Sequence, residues 1–156
     1  MLALARHYDG HASDARCVVF GPDGLIGSGG RDSQLKLWAR AAGSPAHAEA
    51  HPKWVNAVAE LAPGRMKHCP EGGFVTGGQD GLLRIYRLER GSWHLQHALA
   101  AHNAPICSIS WLDWQGQSLL LSGGWDEVAK VWEVQSADGR SCPSTTLGGH
   151  ENNVCV

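Results

Sequence analysis

The stretch Leu119-Leu120-Leu121-Ser122-Gly123-Gly124-Trp125-Asp126 decides the fold, because the chain carries it three times. The earlier versions are Leu25-Ile26-Gly27-Ser28-Gly29-Gly30-Arg31-Asp32 and Gly73-Phe74-Val75-Thr76-Gly77-Gly78-Gln79-Asp80. Four residues after each Asp stands a base (Lys36, Arg84, Lys130), and six after it an aromatic (Trp38, Tyr86, Trp132). Upstream of each unit is a histidine, His11, His51 or His102, followed by an apolar pair at i, i+3: Ala15 and Val18, Val55 and Val58, Ile106 and Ile109. Gly149-His150, with Val154 behind it, opens the same pattern a fourth time.

The His-to-His intervals are 40, 51 and 48 residues, and the Asp-to-Asp intervals 48 and 46. These bracket the period of roughly 40–45 residues for a four-stranded propeller blade, with loop insertions stretching it. The inner strands are expected at 17–20, 56–61 and 106–111. Second strands run into the Ser-Gly-Gly or Thr-Gly-Gly punctuation, and third strands follow the Asp turn at 35–38, 83–88 and 129–134. Trp93, Leu95, His97 and Leu99 alternate at period two, as an outer strand does. The segment Ala62 to Gly72 is expected as a surface excursion between two strands, and Trp93, Trp111 and Trp114 as strand packing.

Composition agrees with sheets joined by tight turns: 20 of 156 residues are glycine, and tryptophan outnumbers phenylalanine and tyrosine together. Thirteen basic against fifteen acidic residues, without a block of either sign, point away from nucleic acid and from a polybasic membrane anchor. Apolar runs are far shorter than the roughly 20 residues of a spanning helix, and the first residues lack the pattern of a secretory signal. Cys17, Cys69, Cys107, Cys142 and Cys155 show no C-x-x-C spacing, so buried, reduced thiols of an intracellular protein are expected.

At these residues the chain resembles the WD-repeat (WD40) β-propellers, whose units open on Gly-His and close on Trp-Asp. It departs from them where Ala50 and Ala101 precede His51 and His102, where Tyr86 replaces Trp, and where Ala39, Arg87 and Glu133 follow the closing aromatics. Blade three, with Ala101-His102-Asn103-Ala104-Pro105-Ile106-Cys107-Ser108-Ile109-Ser110 and Ser122 to Trp132, is similar to the third blade of the phospholipase-A2-activating protein family. The same family is known as the ubiquitin-fusion-degradation WD-repeat proteins. Gly10 to Arg16 and Ser28 to Trp38 resemble its first blade. The fold expected is all-β, an incomplete WD40 propeller over residues 1–156. Its parts are a closing outer strand at 1–9, blades at 10–50, 51–101 and 102–149, and the start of a fourth at 150–156.

The resemblance implies a non-enzymatic adaptor that binds ubiquitin or ubiquitinated proteins in the cytoplasm, with the nucleus left open as a further location. It implies an AAA segregase, valosin-containing protein, as a partner engaged by domains outside these residues. No cofactor, metal, nucleic acid or membrane is expected. The alternative is a general WD-repeat scaffold without ubiquitin affinity. An open arc of three blades is also expected to leave one blade face and a strand edge uncovered.

The quartets His11, Ser28, Asp32, Trp38 and His102, Ser122, Asp126, Trp132 contain the residue types of a hydrolase triad, and His51, Thr76, Asp80, Tyr86 repeat them less completely. Threefold repetition argues for structure: Asp orients His, His bonds the hydroxyl, and the hydroxyl meets the indole N–H, so that every buried polar group is paired. Neither Ser28 nor Ser122 sits in a G-x-S-x-G elbow, the remaining histidines lack zinc spacing, and no phosphate-binding glycine loop is present. Propellers bind partners at the end lined by the residue before each turn Asp and by the mouths of the inner strands. Here those are Arg31, Gln79 and Trp125, with Asp14, Arg16, Trp54, Asn103 and Pro105. Exposed Trp and Arg are frequent interface anchors.

Overall fold

The computed structural model describes residues 7–21, 24–39, 47–66, 69–90, 92–133 and 143–154. Among them, twelve strands build three four-stranded antiparallel sheets, each running in chain order from inner to outer strand. Sheet one holds β1 (Ala15–Phe20), β2 (Ile26–Gly30), β3 (Gln34–Trp38) and β4 (His47–Ala50). Sheet two holds β5 (Val55–Leu61), β6 (Gly73–Gly78), β7 (Leu82–Glu89) and β8 (Ser92–Ala100). Sheet three holds β9 (Ile106–Trp114), β10 (Gln117–Gly124), β11 (Ala129–Glu133) and β12 (Pro143–Leu147). The arrangement is an incomplete propeller, with β5 packed between β1 and β9.

Side-chain alternation shows which faces are covered. On β1, Cys17 and Val19 pack toward sheet two, while Val18 and Phe20 on the other face are 72% and 75% exposed. The middle sheet has a neighbour on each side, and β6 is accordingly buried along its whole length. Leu35, Leu37, Val58, Phe74 and Tyr86 fill the space between sheets one and two. Val75, Leu83, Ile85, Ile106, Leu120 and Trp132 fill that between sheets two and three. Fully burying one such side chain stabilises the fold by roughly 1.5–3 kcal/mol.

The repeated Gly-Gly pair is what lets neighbouring sheets meet. A Cβ at Gly29, Gly77 or Gly123 would fall well inside van der Waals contact of Val55, Ile106 and Val154 respectively. These are the first residues of the next repeat's apolar pattern. The second glycine of each pair does a different job: a Cβ at Gly30 or Gly124 would strike the imidazole of His11 or His102, and one at Gly78 the Asp80 carboxylate. Residues Ser33, Gly81 and Glu127, next to each turn Asp, all adopt left-handed φ of 62°, 76° and 64°. Between β9 and β10, Gln115 and Gly116 have φ of 49° and 78°, the pattern of a two-residue type I′ hairpin turn.

Two expectations are corrected. Ala62 to Gly72 is no mere surface excursion: Met66 and Cys69 within it are 5% and 0% exposed and belong to the core between sheets two and three. Apolar side chains there gain more from burial than from solvent, so they draw the loop inward. Of the expected closing outer strand at 1–9, residues 1–6 lie outside the described residues, and within residues 7–9 Tyr8 lies edge-on to Trp38 at 5.7 Å. Trp114 is 58% exposed, because strand alternation turns it to the face opposite Trp111, which packs on the core. Trp93 packs against Phe74 with ring centroids 5.4 Å apart. Residues 150–154 carry no strand, but Val154 sits against β10, its N–H donating to the Gly124 carbonyl at 3.1 Å. Residues 155–156 lie outside the described residues.

Candidate functional site

Two constellations recur: buried quartets inside the sheets, and a polar end where the inner strands begin. In sheet one, His11 Nδ1 donates to Asp32 at 2.9 Å, Ser28 Oγ donates to His11 Nε2 at 2.8 Å, and Trp38 Nε1 donates to Ser28 Oγ at 2.7 Å. The Ala12 N–H also donates to Asp32 at 3.0 Å. Sheet three repeats this through His102, Asp126, Ser122 and Trp132 at 2.7, 2.8 and 2.9 Å, with the Asn103 N–H on Asp126 at 3.0 Å. Because each Asp can only accept, the proton of His11 and of His102 sits on Nδ1. Burial opposes ionisation of Asp32 and Asp126, yet the histidine and backbone N–H bonds hold both carboxyls below the usual range. The bases of the repeat serve here too, Lys36 donating to the Gly10 carbonyl and Lys130 to that of Ala101.

Sheet two is wired differently. Arg84 stands where the others have lysine, and its forked guanidinium takes Asp80 in two bonds of 3.2 and 2.6 Å. His51 therefore makes no bond to Asp80 or Thr76, contrary to the expected quartet. Arg84 Nη1 donates to His51 Nδ1 at 3.3 Å, and His51 Nε2 is 3.0 Å from the Tyr86 hydroxyl. A guanidinium only donates, so the His51 proton sits on Nε2, the opposite tautomer from His11 and His102. Burial and the Arg84 charge push the imidazole down to about 4, and burial lifts the Tyr86 phenol to about 12. The Thr76 hydroxyl is buried without a hydrogen-bond partner.

The polar end is built by one backbone bond made three times. The N–H of Arg31, Gln79 and Trp125 donates to the carbonyl of Asp14, Trp54 and Pro105, each at 2.9 Å. Turn and strand mouth are thus tied together in every sheet. Between sheets one and two the side chains also join: Arg31 Nη1 lies 3.1 Å from Asp14 Oδ2, and the guanidinium stacks 4.8 Å over the Trp54 ring. Sequence spacing places these residues at one end but does not reveal the stacking across sheets. Trp54 and Trp125 are 36% and 48% exposed. Arg16 and Asn103 are exposed as well, and Gln79 is half-buried.

A family model described as "WD domain, G-beta repeat" matches residues 3–39, 44–87 and 93–133. The ribosome biogenesis protein WDR12 homolog of Chlamydomonas reinhardtii is 31% identical over 112 residues, covering 67% of this chain and 24% of that protein. The phospholipase A-2-activating protein of Xenopus laevis is 31% identical over 133 residues, covering 79% of this chain and 16% of that protein. The ubiquitin fusion degradation protein 3 homolog of Caenorhabditis elegans is 25% identical over 152 residues, covering 89% and 16%. The chain thus spans a quarter or less of the length of these relatives.

Proposed function

Because the chain belongs to the WD-repeat family, generally a non-enzymatic scaffold fold, we propose that it is a protein-binding module whose polar end takes ubiquitin. The observation that carries this reading is the Asp14–Arg31–Trp54 cluster, which spans two sheets. Stacked and ion-paired, Arg31 is already ordered, so less side-chain entropy is lost when a partner arrives. Trp54 and Trp125 offer partly exposed aromatic surface for the apolar patch of ubiquitin. Asp14, 68% exposed at its side chain, suits the basic rim of that patch. Kinship with a protein named for ubiquitin fusion degradation supports the choice of partner. Burial of the quartet hydroxyls supports a non-enzymatic role: Ser122 is 0% and Ser28 7% exposed, and a nucleophile must meet its substrate.

The second reading, a scaffold without ubiquitin affinity, is favoured by kinship with the ribosome biogenesis protein. Titrating 15N-labelled ubiquitin with the protein separates the two. Saturable shifts confined to ubiquitin's apolar patch, weakened about five- to thirtyfold by Trp125→Ala and by Asp14→Arg, support the first. A spectrum that does not change at saturating protein concentration leaves the scaffold.

A further inference from the structure

Charge is not spread evenly over the polar end. In sheets two and three Gln79, Asn103 and Trp125 carry none, and Glu127, past the turn of sheet three, is negative and exposed. Where sheets one and two meet, the mouths and turns hold Arg16, Arg31 and Lys53, all exposed, with the Asp14 carboxylate among them. The turn carboxylates beside them are already bonded, Asp32 to His11 and Asp80 to Arg84. Arg31 is the cation whose position is fixed. Its guanidinium lies 4.8 Å over the Trp54 ring, and Asp14 meets it at Nη1, 3.1 Å away. The rest of the guanidinium edge makes no bond among the described residues, and the side chain is 42% exposed.

We propose that Arg31 binds a carboxylate side chain of a partner protein, along the guanidinium edge that Asp14 leaves open. This rests on the polar end being the binding surface, and not on ubiquitin being the partner. A guanidinium offers its donors as a planar fork that matches a carboxylate in parallel bonds. Stacking on the indole sets that plane before the ligand arrives, so little order is lost on binding. Arg16 and Lys53, which make no ion pair among the described residues, add the complementary charge and draw an acidic segment rather than a basic one. Trp54, 36% exposed, offers apolar surface beside the fork. The occupant is therefore an acidic residue with an apolar neighbour, not a small free anion. Asp14 opposes it, because its own charge stands next to the incoming carboxylate.

The probe is the blocked tripeptide N-acetyl-Leu-Glu-Leu-amide, titrated into the 15N-labelled protein beside its glutamine counterpart and sodium acetate. The Arg31 Nε–H and the Trp54 indole N–H shift saturably with the glutamate peptide, at a Kd on the order of millimolar. The glutamine peptide and acetate each bind about tenfold more weakly. Arg31→Gln weakens the glutamate peptide about tenfold as well. Asp14→Asn, which removes the opposing charge and keeps the backbone bond to Arg31, strengthens it about threefold. That variant reads the site by the Trp54 indole even if Arg31→Gln loses its fold. Equal affinity for the glutamine peptide or for acetate, no saturable shift with the glutamate peptide, or a folded variant whose affinity does not move in the stated direction would each overturn the assignment. Ubiquitin is absent from this titration, so the carboxylate subsite and the choice of ubiquitin as partner stand or fall separately.

Discussion

At the scale of single residues, one exchange rewires a third of the repeat. Lysine at positions 36 and 130 leaves the turn Asp to the histidine, whereas Arg84 claims Asp80 for itself and turns His51 over to the other tautomer. A base four residues after each Asp is legible in sequence. The consequence of a longer, forked side chain is not, because it depends on where Asp80 lies relative to His51. The result is a histidine 6% exposed and held neutral, with a folded value of about 4 against an ordinary 6.5. The unfolded chain therefore binds a proton at pH 6.5 that the folded chain refuses until near pH 4. Stability contributed by neutral His51 is full above pH 6.5 and is lost as pH falls through that window. The loss amounts to about 3 kcal/mol at most. Urea midpoints measured across that range, together with the titration of the His51 ring by NMR, check it. A ring that titrates near its ordinary value would remove the claim. Asp32 and Asp126 shed their own contribution at lower pH, below the ordinary carboxylate value of 3.8.

At the scale of elements, strands and turns were legible because their signals are local. Period-two alternation, glycine pairs and turn Asp residues lie within a few positions of what they specify. The loop after β5 was not legible in the same way. Its apolar residues Met66 and Cys69 stand three apart in a stretch without strand periodicity, and their burial depends on the seam between two sheets. Read as spacing alone, the insertion only lengthens a repeat. Read as physics, two apolar side chains in a loop already suggest that it has a core of its own to join. Met66→Ala is expected to lower stability by roughly 2–4 kcal/mol, as a core cavity does. Thermal or urea denaturation measures it, and a change within about 0.5 kcal/mol would return the loop to the surface. The same loop carries Arg65 across to Asp113 and Trp111 of sheet three, a contact that spacing could not suggest.

At the scale of the whole molecule, each sheet presents a seat for the next repeat. The seat consists of the first glycine of the pair and, in sheets one and three, a cysteine on the inner strand. Val55 fills it on sheet one and Ile106 on sheet two, and Val154 fills it on sheet three, where the Cys107 thiol donates to its carbonyl as Cys17 donates to that of Val55. Beyond Val154, sheet three presents Leu112, Trp114 and Leu147, 43%, 58% and 48% exposed. At the opposite end of the arc, sheet one presents Val18 and Phe20. Both are apolar faces of the kind that neighbouring sheets cover elsewhere in the molecule, and they are unlike each other. Contact between unlike faces is heterologous and does not stop at a symmetric dimer unless the ring closes. The 156-residue chain is therefore expected to associate as its concentration rises, with a weight-average mass that climbs past that of a dimer in sedimentation equilibrium. Phe20→Ser combined with Trp114→Ser removes the largest exposed side chain from each face and returns the mass toward the monomer. A monomeric mass at every concentration, in protein whose sheets are intact by circular dichroism, would show that neither face is sticky enough to matter. Neither Phe20 nor Trp114 belongs to the polar end, so the paired substitution makes self-association and the proposed ubiquitin binding separable by measurement.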